Sequence, residues 1–397
     1  MRIVIHDYSG HPFQMQLSRH LAAKGHEVTH IYSASFQTPK GLVSRTSNDS
    51  KTLEIIGLDL GEEFQKYSFV KRRSQEIKYG KLLANKVEQI RPDVVISSNS
   101  PIDAQSILFK TCSRLDMRFV FWVQDIYSLA ISQVCREKIP LFGSMIGKYY
   151  VHEEKRLLRK SDKVVSITED FLPLLRSWGV REKSITVIPN WAPIDEIQLV
   201  PKSNSWSMRN ELDKKFCFLY SGTLGFKHNP KLLLSLAEEY KNDEDVLIIV
   251  ISEGPAIDWL ARECSRLGLH NLRLMPFQDY RLYSSVLATA DVLVAILEPS
   301  AGIYSVPSKV LTYMCAGKPL LLSVPTENLA SRMVRKINAG FVVTPDDERG
   351  FLASSRQLYV DANQRQSMGK SSLEYALSNF DIGKIAVQFE NLMLTHA

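Results

Sequence analysis

Long apolar runs, paired cysteines and a strong excess of one charge are missing from this sequence. No apolar stretch approaches the roughly eighteen residues of a membrane span; Val246 to Ile251 and Leu320 to Val324 are strand-sized. Five cysteines, Cys112, Cys135, Cys217, Cys264 and Cys315, are odd in number and widely spaced, with no C-x-x-C pair. That pattern argues against a disulfide framework and a zinc site, and fits reduced core thiols in a cytosolic protein. The net charge of +6 over 397 residues is small and scattered. It argues against a nucleic-acid binder while fitting an anionic substrate or an anionic membrane surface. The start, Met1 to Asp7, runs directly into a strand without a long apolar signal region, so export is not expected. Short-period repeats and low-complexity tracts are also missing.

What is present is an alternation of short apolar runs with amphipathic stretches, the pattern of parallel sheets wrapped by helices. Hydrophobic content of 45% and charged content of 23% are globular values, and the length implies two domains. In the first half, strands are expected at Ile3 to Ile5, Val28 to Tyr32, Val94 to Ser97, Phe119 to Val123 and Val164 to Ile167, with a helix over 13–24. A polar, broken stretch from Pro193 to about Asn210 reads as a linker. The pattern then restarts, with strands at Phe216 to Tyr220, Val246 to Ile251, Leu272 to Met275, Val292 to Ile296, Leu320 to Val324 and Phe341 to Val343. The expected architecture is α/β, two doubly wound Rossmann-like domains, over 1–200 and 201–378, with ligands at the carboxyl ends of both sheets and a cleft between.

The most informative segment is Val306-Pro307-Ser308-Lys309-Val310-Leu311-Thr312-Tyr313-Met314-Cys315-Ala316-Gly317-Lys318-Pro319. It reads as loop, helix and strand: Ser308 is a candidate cap, Lys309 stands in the first turn, and Gly317 followed by Pro319 stops the helix. Free N–H groups with a lysine beside them suit a phosphate, although loop-helix-strand units with such caps occur in any α/β protein. Tyr220-Ser221-Gly222-Thr223-Leu224-Gly225-Phe226-Lys227 is a second candidate. A glycine turn after a strand lets the backbone approach a diphosphate, and Lys227 can add charge.

Together these segments resemble the retaining, nucleotide-sugar-dependent glycosyltransferases of family 4, in particular a bacterial O-antigen and exopolysaccharide branch that acts like fucosamine transferases. The resemblance covers nearly the whole chain and implies the GT-B fold, with the last helix, 379–397, crossing back to the first domain. It implies a donor site formed by Gly10, Ser221, Gly222, Thr223, Lys227, Glu253, Gly254, Phe277, Tyr304, Ser308, Lys309, Val310 and Thr312. Catalytic roles fall on Asp125, Gln124, His11 and Lys227. The chain departs from the family at several of these. Thr223 stands where many relatives have arginine, Thr312 and Tyr304 where they have glutamates, and Gln124 where His-Asp is common. Gln124 cannot take a proton, so that duty falls elsewhere, for example on the departing phosphate. Gln124-Asp125 can also be read as a polar cap on a strand end, and Thr168 and Asn190 as a helix cap and a turn residue. Glu298 is either displaced into the site or a surface residue. His6 is a structural histidine in this reading, and His11 a candidate site residue.

Lys71, Arg72 and Arg73, among Phe69, Val70, Ile77 and Tyr79, form with the segment around Phe142 a basic amphipathic surface. It is expected to meet the acceptor and the membrane. The partners implied are a nucleotide sugar, a lipid-linked glycan acceptor and the cytoplasmic face of the membrane, with no nucleic acid. No cofactor and no metal are expected, because no Asp-x-Asp motif ends a strand in the C-terminal half. Two alternatives are a sugar-nucleotide epimerase of the same fold and a non-catalytic partner that has lost its catalytic residues.

Overall fold

The computed structural model describes the chain except residues 39, 66–67, 99, 140, 298–306 and 395–397, and the side chains of Lys138 and Lys227. It divides into two compact units, Met1–Asn190 with Ile382–Ala397, and Trp191–Asp381.

The first unit is built on seven strands: β1 (Arg2–Asp7), β2 (Glu27–Ser33), β3 (Leu53–Leu58), β4 (Val94–Ser98), β5 (Arg118–Val123), β6 (Lys163–Ser166) and β7 (Ile185–Val187). They pair in the order β3-β2-β1-β4-β5-β6-β7, every neighbour parallel. Helices α1 (Pro12–Ala23), α2 (Phe69–Ile90), α3 (Ile102–Arg114), α4 (Tyr127–Lys138), α5 (Gly143–Lys160) and α6 (Leu172–Ser177) make the crossovers. Strand β3 escapes the sequence pattern because it is an edge strand with Glu54 and Gly57 breaking its apolar run. A Cβ at Gly57 would lie 2.8 Å from the Tyr32 hydroxyl, so a larger residue there would displace the end of that side chain.

The second unit opens with α7 (Ser205–Arg209) and carries β8 (Phe216–Ser221), β9 (Val246–Ile251), β10 (Leu272–Met275), β11 (Val292–Ile296), β12 (Leu320–Ser323) and β13 (Gly340–Val343). Their order is β10-β9-β8-β11-β12-β13, again all parallel. The strands are continuous apolar runs because both faces of the sheet are covered. The covering helices are α8 (Lys231–Glu239), α9 (Pro255–Leu267), α10 (Tyr283–Thr289), α11 (Lys309–Cys315), α12 (Leu329–Lys336), α13 (Glu348–Val360) and α14 (Ala362–Asn379). In α9 the boundaries follow local chemistry, with Pro255 in the first turn and Gly268 left-handed at the end.

In each sheet the strand order reverses at one place, between β1 and β4 and between β8 and β11. Loops leaving the carboxyl ends there diverge and leave room for a ligand. The glycine turns at Gly10 and Gly222 leave β1 and β8, one switch point each.

One expectation, the linker and with it the domain boundary, needs correcting, whereas the returning final helix is as the resemblance implied. The stretch 193–210 is not a free linker. The Gln198 N–H donates to Ser284 Oγ (3.0 Å), Tyr280 donates to the Glu196 carboxylate (2.8 Å), and Asn204 caps α7 through the N–H groups of Trp206 and Ser207 (both 3.0 Å). These bonds dock the stretch on the second unit, so the units divide after Asn190 and not after Val200. The final helix, α15 (Ile382–Leu394), belongs to the first unit. It buries Ile385, Ala386, Phe389, Leu392 and Met393, and Phe389 lies 4.8 Å from the Trp122 ring. Glu390 pairs with Lys24 and His26, and Arg118 donates to the Met393 carbonyl.

Candidate functional site

In the second unit the switch-point loop is braced before any ligand arrives. β8 pairs with β9 as far as Ser221, but with β11 only at Phe218 and Leu219, so the Ser221 backbone has no strand partner on the β11 side. The Tyr313 hydroxyl takes that place: it accepts from the Ser221 N–H (2.9 Å) and donates to the Ser221 carbonyl (3.0 Å). One turn on, Tyr220 donates to the Thr223 carbonyl (2.8 Å) and the Leu224 N–H donates to Ser252 Oγ (3.0 Å). Gly222, at φ 125°, is in a conformation that favours glycine. A Cβ there would lie 3.2 Å from both Cε and Nζ of Lys309.

Lys309 is the centre of this arrangement. Its Nζ sits 3.6 Å from the centroid of the Tyr220 ring, is buried, and has no hydrogen-bond partner among the described residues. Burial pushes its pKa down to about 7. The ring offers some cation–π compensation, but a buried ammonium without an anion is otherwise costly. An anionic oxygen, such as that of a phosphate, would complement it.

The other expected donor residues distribute around it. Glu253 accepts from the Phe277 N–H (3.2 Å), which joins the loops that follow β9 and β10. Gly254, at φ 107°, starts α9. Thr223 is exposed and Thr312 half-buried. Ser308 was expected to cap α11 and makes no side-chain cap bond, because its own backbone is already helical. Val310 is fully buried and its N–H donates to the Pro307 carbonyl (3.0 Å), so its side chain packs into the core beside the site. Tyr304 and Glu298 lie outside the described residues, as does the Lys227 side chain.

In the first unit the corresponding residues gather at the ends of β1 and β5. Gly10, at φ 78°, turns the chain into His11. Asp7, which ends β1, binds His11 and was not singled out in the sequence; the spacing Asp7-x-x-x-His11 across a glycine turn is the signal that could have found it. Gln124 and Asn190 form a reciprocal amide pair (3.2 and 2.5 Å), which commits the Gln124 amide to bracing the end of the unit. Asp125 is half-buried and its charge acts on His11. Behind it, Glu154 is buried and accepts from the Ser128 N–H (3.1 Å) at the start of α4. Burial raises its pKa to about 7 against the opposing effect of that bond. His6 is structural: Ser97 Oγ (2.7 Å) and the Tyr79 hydroxyl (3.0 Å) hold its two ring nitrogens, and burial lowers its pKa to about 3. Thr168 caps the turn that follows β6 through the Asp170 N–H.

The expected acceptor surface is mixed. Lys71 is exposed, but Arg72 pairs with Glu76 (2.7 Å) and Arg73 with Asp103 (3.0 Å). Phe142 is 59% exposed and its neighbour Leu141 89%.

Residues 14–196 match the model of Glycosyltransferase Family 4, and residues 204–374 that of Glycosyl transferases group 1. The chain belongs to the family 4 glycosyltransferases. It is 22% identical over 253 residues to WcaI of Escherichia coli strain K12, named for colanic acid biosynthesis, and the match spans 63% of this chain and 61% of WcaI. It is 25% identical over 272 residues to the glycosyltransferase WbjE of Pseudomonas aeruginosa, spanning 65% and 64%. The matched part is thus less than two thirds of either relative. Among solved structures, Anabaena HepE in complex with UDP and glucose matches with a TM-score of 0.71 at 15% identity, over 100% of both chains. The GT-B fold of this family accounts for the two parallel sheets, their two switch points and the returning α15. No helix among the described residues is long and apolar enough to cross a membrane.

Proposed function

We propose that this family 4 glycosyltransferase retains anomeric configuration and moves a sugar from a nucleoside-diphosphate sugar to a lipid-linked glycan acceptor in bacterial surface polysaccharide synthesis. The observation that carries the donor half is Lys309: a buried ammonium with no hydrogen-bond partner among the described residues, held against a left-handed glycine at the switch point of the second sheet. A diphosphate is the ligand class that uses both the charge and the open backbone. HepE, solved with UDP and glucose, and WcaI, named for colanic acid biosynthesis, support the same donor and product classes.

In this reading Lys309 and the loop N–H groups offset the charge that develops on the leaving diphosphate, so no metal is required. Asp125 faces the positive charge of an oxocarbenium-like transition state. The acceptor belongs to the first unit, where exposed Val70, Leu141, Phe142 and Met145 lie among Lys71 and Lys148, a surface that suits an anionic bilayer.

The test is thermal stabilisation by UDP-, GDP-, dTDP- and ADP-sugars, because a ligand of the folded state raises the transition in proportion to its affinity. One nucleotide is expected to raise it selectively, and Lys309→Ala to abolish the shift. A panel without effect removes the donor reading. For the membrane half, co-sedimentation with phosphatidylglycerol vesicles, but not phosphatidylcholine, is expected and should be lost in Leu141→Glu/Phe142→Glu.

A further inference from the structure

The first unit holds a second group of titratable side chains, at the carboxyl ends of β1 and β5, that the donor site does not use. Asp7 has no exposed side-chain surface. Its carboxylate accepts from the Ser9 N–H (3.1 Å), the His11 N–H and His11 Nδ1 (3.2 Å). Gly10 makes this possible, since a left-handed residue folds the chain back so that residue 11 meets residue 7. His11 keeps 30% of its side chain exposed at the start of α1, so the ring is anchored through Nδ1 without being sealed into the core.

We propose that Asp7 is the positioning residue of His11, and that this pair with Asp125 reads sugar hydroxyls of the acceptor, not phosphate. With Nδ1–H given to a carboxylate, Nε2 becomes the nitrogen that exchanges its proton or hydrogen bond with a substrate. Gln124 has no proton to exchange, so the Asp7–His11 pair adds an imidazole beside the Asp125 carboxylate at the β5 end. An imidazole beside a carboxylate offers the donor and acceptor combination that hydroxyls need.

The surrounding charges argue against phosphate. Among the described residues, cations near the loop have partners of their own: His11 pairs with Asp7, Lys40 donates to the Phe36 carbonyl and Arg72 pairs with Glu76. Asp7 and Asp125 add two carboxylates that repel an anion. His30 and His6 are neutral near pH 7, because burial lowers them to about 4 and about 3, and Tyr8 and Tyr127 are neutral because burial raises them. Burial opposes the His11 imidazolium, yet the Asp7 charge and hydrogen bond, with the Asp125 charge, raise its pKa. Burial likewise opposes ionised Asp7, but His11 outweighs it and holds the carboxyl at about 2.

The experiment is an NMR pH titration of the His11 ring in the full chain, with the resonance assigned through His11→Gln. In the wild type, nitrogen shifts should report a neutral ring protonated at Nδ1, with a midpoint above the ordinary imidazole value. Asp7→Asn and Asp125→Asn should each lower that midpoint, and millimolar inorganic pyrophosphate should leave the resonance in place. An Nε2-protonated neutral ring, midpoints unmoved by either variant, or a pyrophosphate-induced shift at His11 overturns the inference. Asp7 also caps the turn, so a purely structural Asp7 would lower stability without moving the titration; if Asp7→Asn does not fold, the wild-type tautomer and Asp125→Asn decide. The inference rests on the glycosyltransferase reading, but a failed nucleotide-sugar shift removes that reading while leaving this titration intact.

Discussion

Lys309 carries a charge in a place that opposes it, and this sets a trade between stability and binding. Its pKa lies at about 7 when folded, against about 10.4 for a free lysine. The unfolded chain therefore binds the proton more tightly, so stability is lost as pH falls from the free value toward 7 and is level below that. Replacing Lys309 with Met keeps the stem and removes the charge. At neutral pH it should raise the melting temperature of the empty protein by a few degrees, or about 1–2 kcal/mol, while abolishing nucleotide stabilisation. A variant that melts lower than wild type would show that the ammonium is already compensated. The same physics gives binding a pH dependence: a diphosphate needs Lys309 protonated, so affinity should fall as pH rises above about 7, with proton uptake in calorimetry across buffers of different ionisation enthalpy. At this scale the sequence was partly legible. Lys309 stands at the start of α11 and Gly222 in the turn after β8, and a lysine at a helix start with a glycine turn after a strand is a pattern the sequence shows directly. Asp7 was signalled only by its spacing to His11 across a glycine turn, and Glu154 was not legible, because a glutamate within His152-Glu153-Glu154-Lys155 looks like a surface residue until the fold buries it.

Between residues and domains, strand ends and helix starts do the positioning. Tyr313 lies on α11 yet completes the hydrogen bonding of β8, so the helix that brings Lys309 also fixes the turn beneath it. Tyr313→Phe keeps the buried ring and leaves two backbone groups of Ser221 unpaired. The expected cost is about 2 kcal/mol, with nucleotide affinity weakened several-fold and the fold retained by circular dichroism; unchanged affinity would mean the Gly222 turn is held by Ser252 and Tyr220 alone. At the start of α4, Glu154 has a folded pKa raised to about 7 by burial. Folding thus favours its protonated form, so stability is fullest below its unfolded value near 4.3 and declines as pH rises toward 7, then levels. Glu154→Gln, which mimics the protonated form, should remove that portion of the pH dependence in denaturant titrations. Element types were readable where apolar runs were continuous, as in β9 and β12. They were not where exposure alternates, as in β3, or where a polar stretch is held down by side-chain bonds, as in 193–210.

For the molecule as a whole, the chain order and the domain order differ, and α15 is the reason. The helix ends the chain but completes the first unit, covering α1 and Trp122 through Phe389 and tying β5 and the start of β2 through Arg118, Glu390 and His26. The sequence signalled such a return only through family resemblance, because an amphipathic helix with no strand after it does not say which surface it covers. Periodicity does set out the rest of the architecture, since two series of buried parallel strands can close only as two sheets. Removing 382–397 should therefore injure the first unit selectively. In calorimetry of the full chain, nucleotide sugar should raise the transition of the second unit, which identifies it. The truncated protein should lose or lower the other transition, with Trp122 fluorescence shifted to the red as its cover of Phe389 is stripped, while the nucleotide-responsive transition keeps its temperature. Loss of both transitions together would mean that the two units fold as one cooperative body, and the stability of the donor site would then depend on a helix that never enters its sheet.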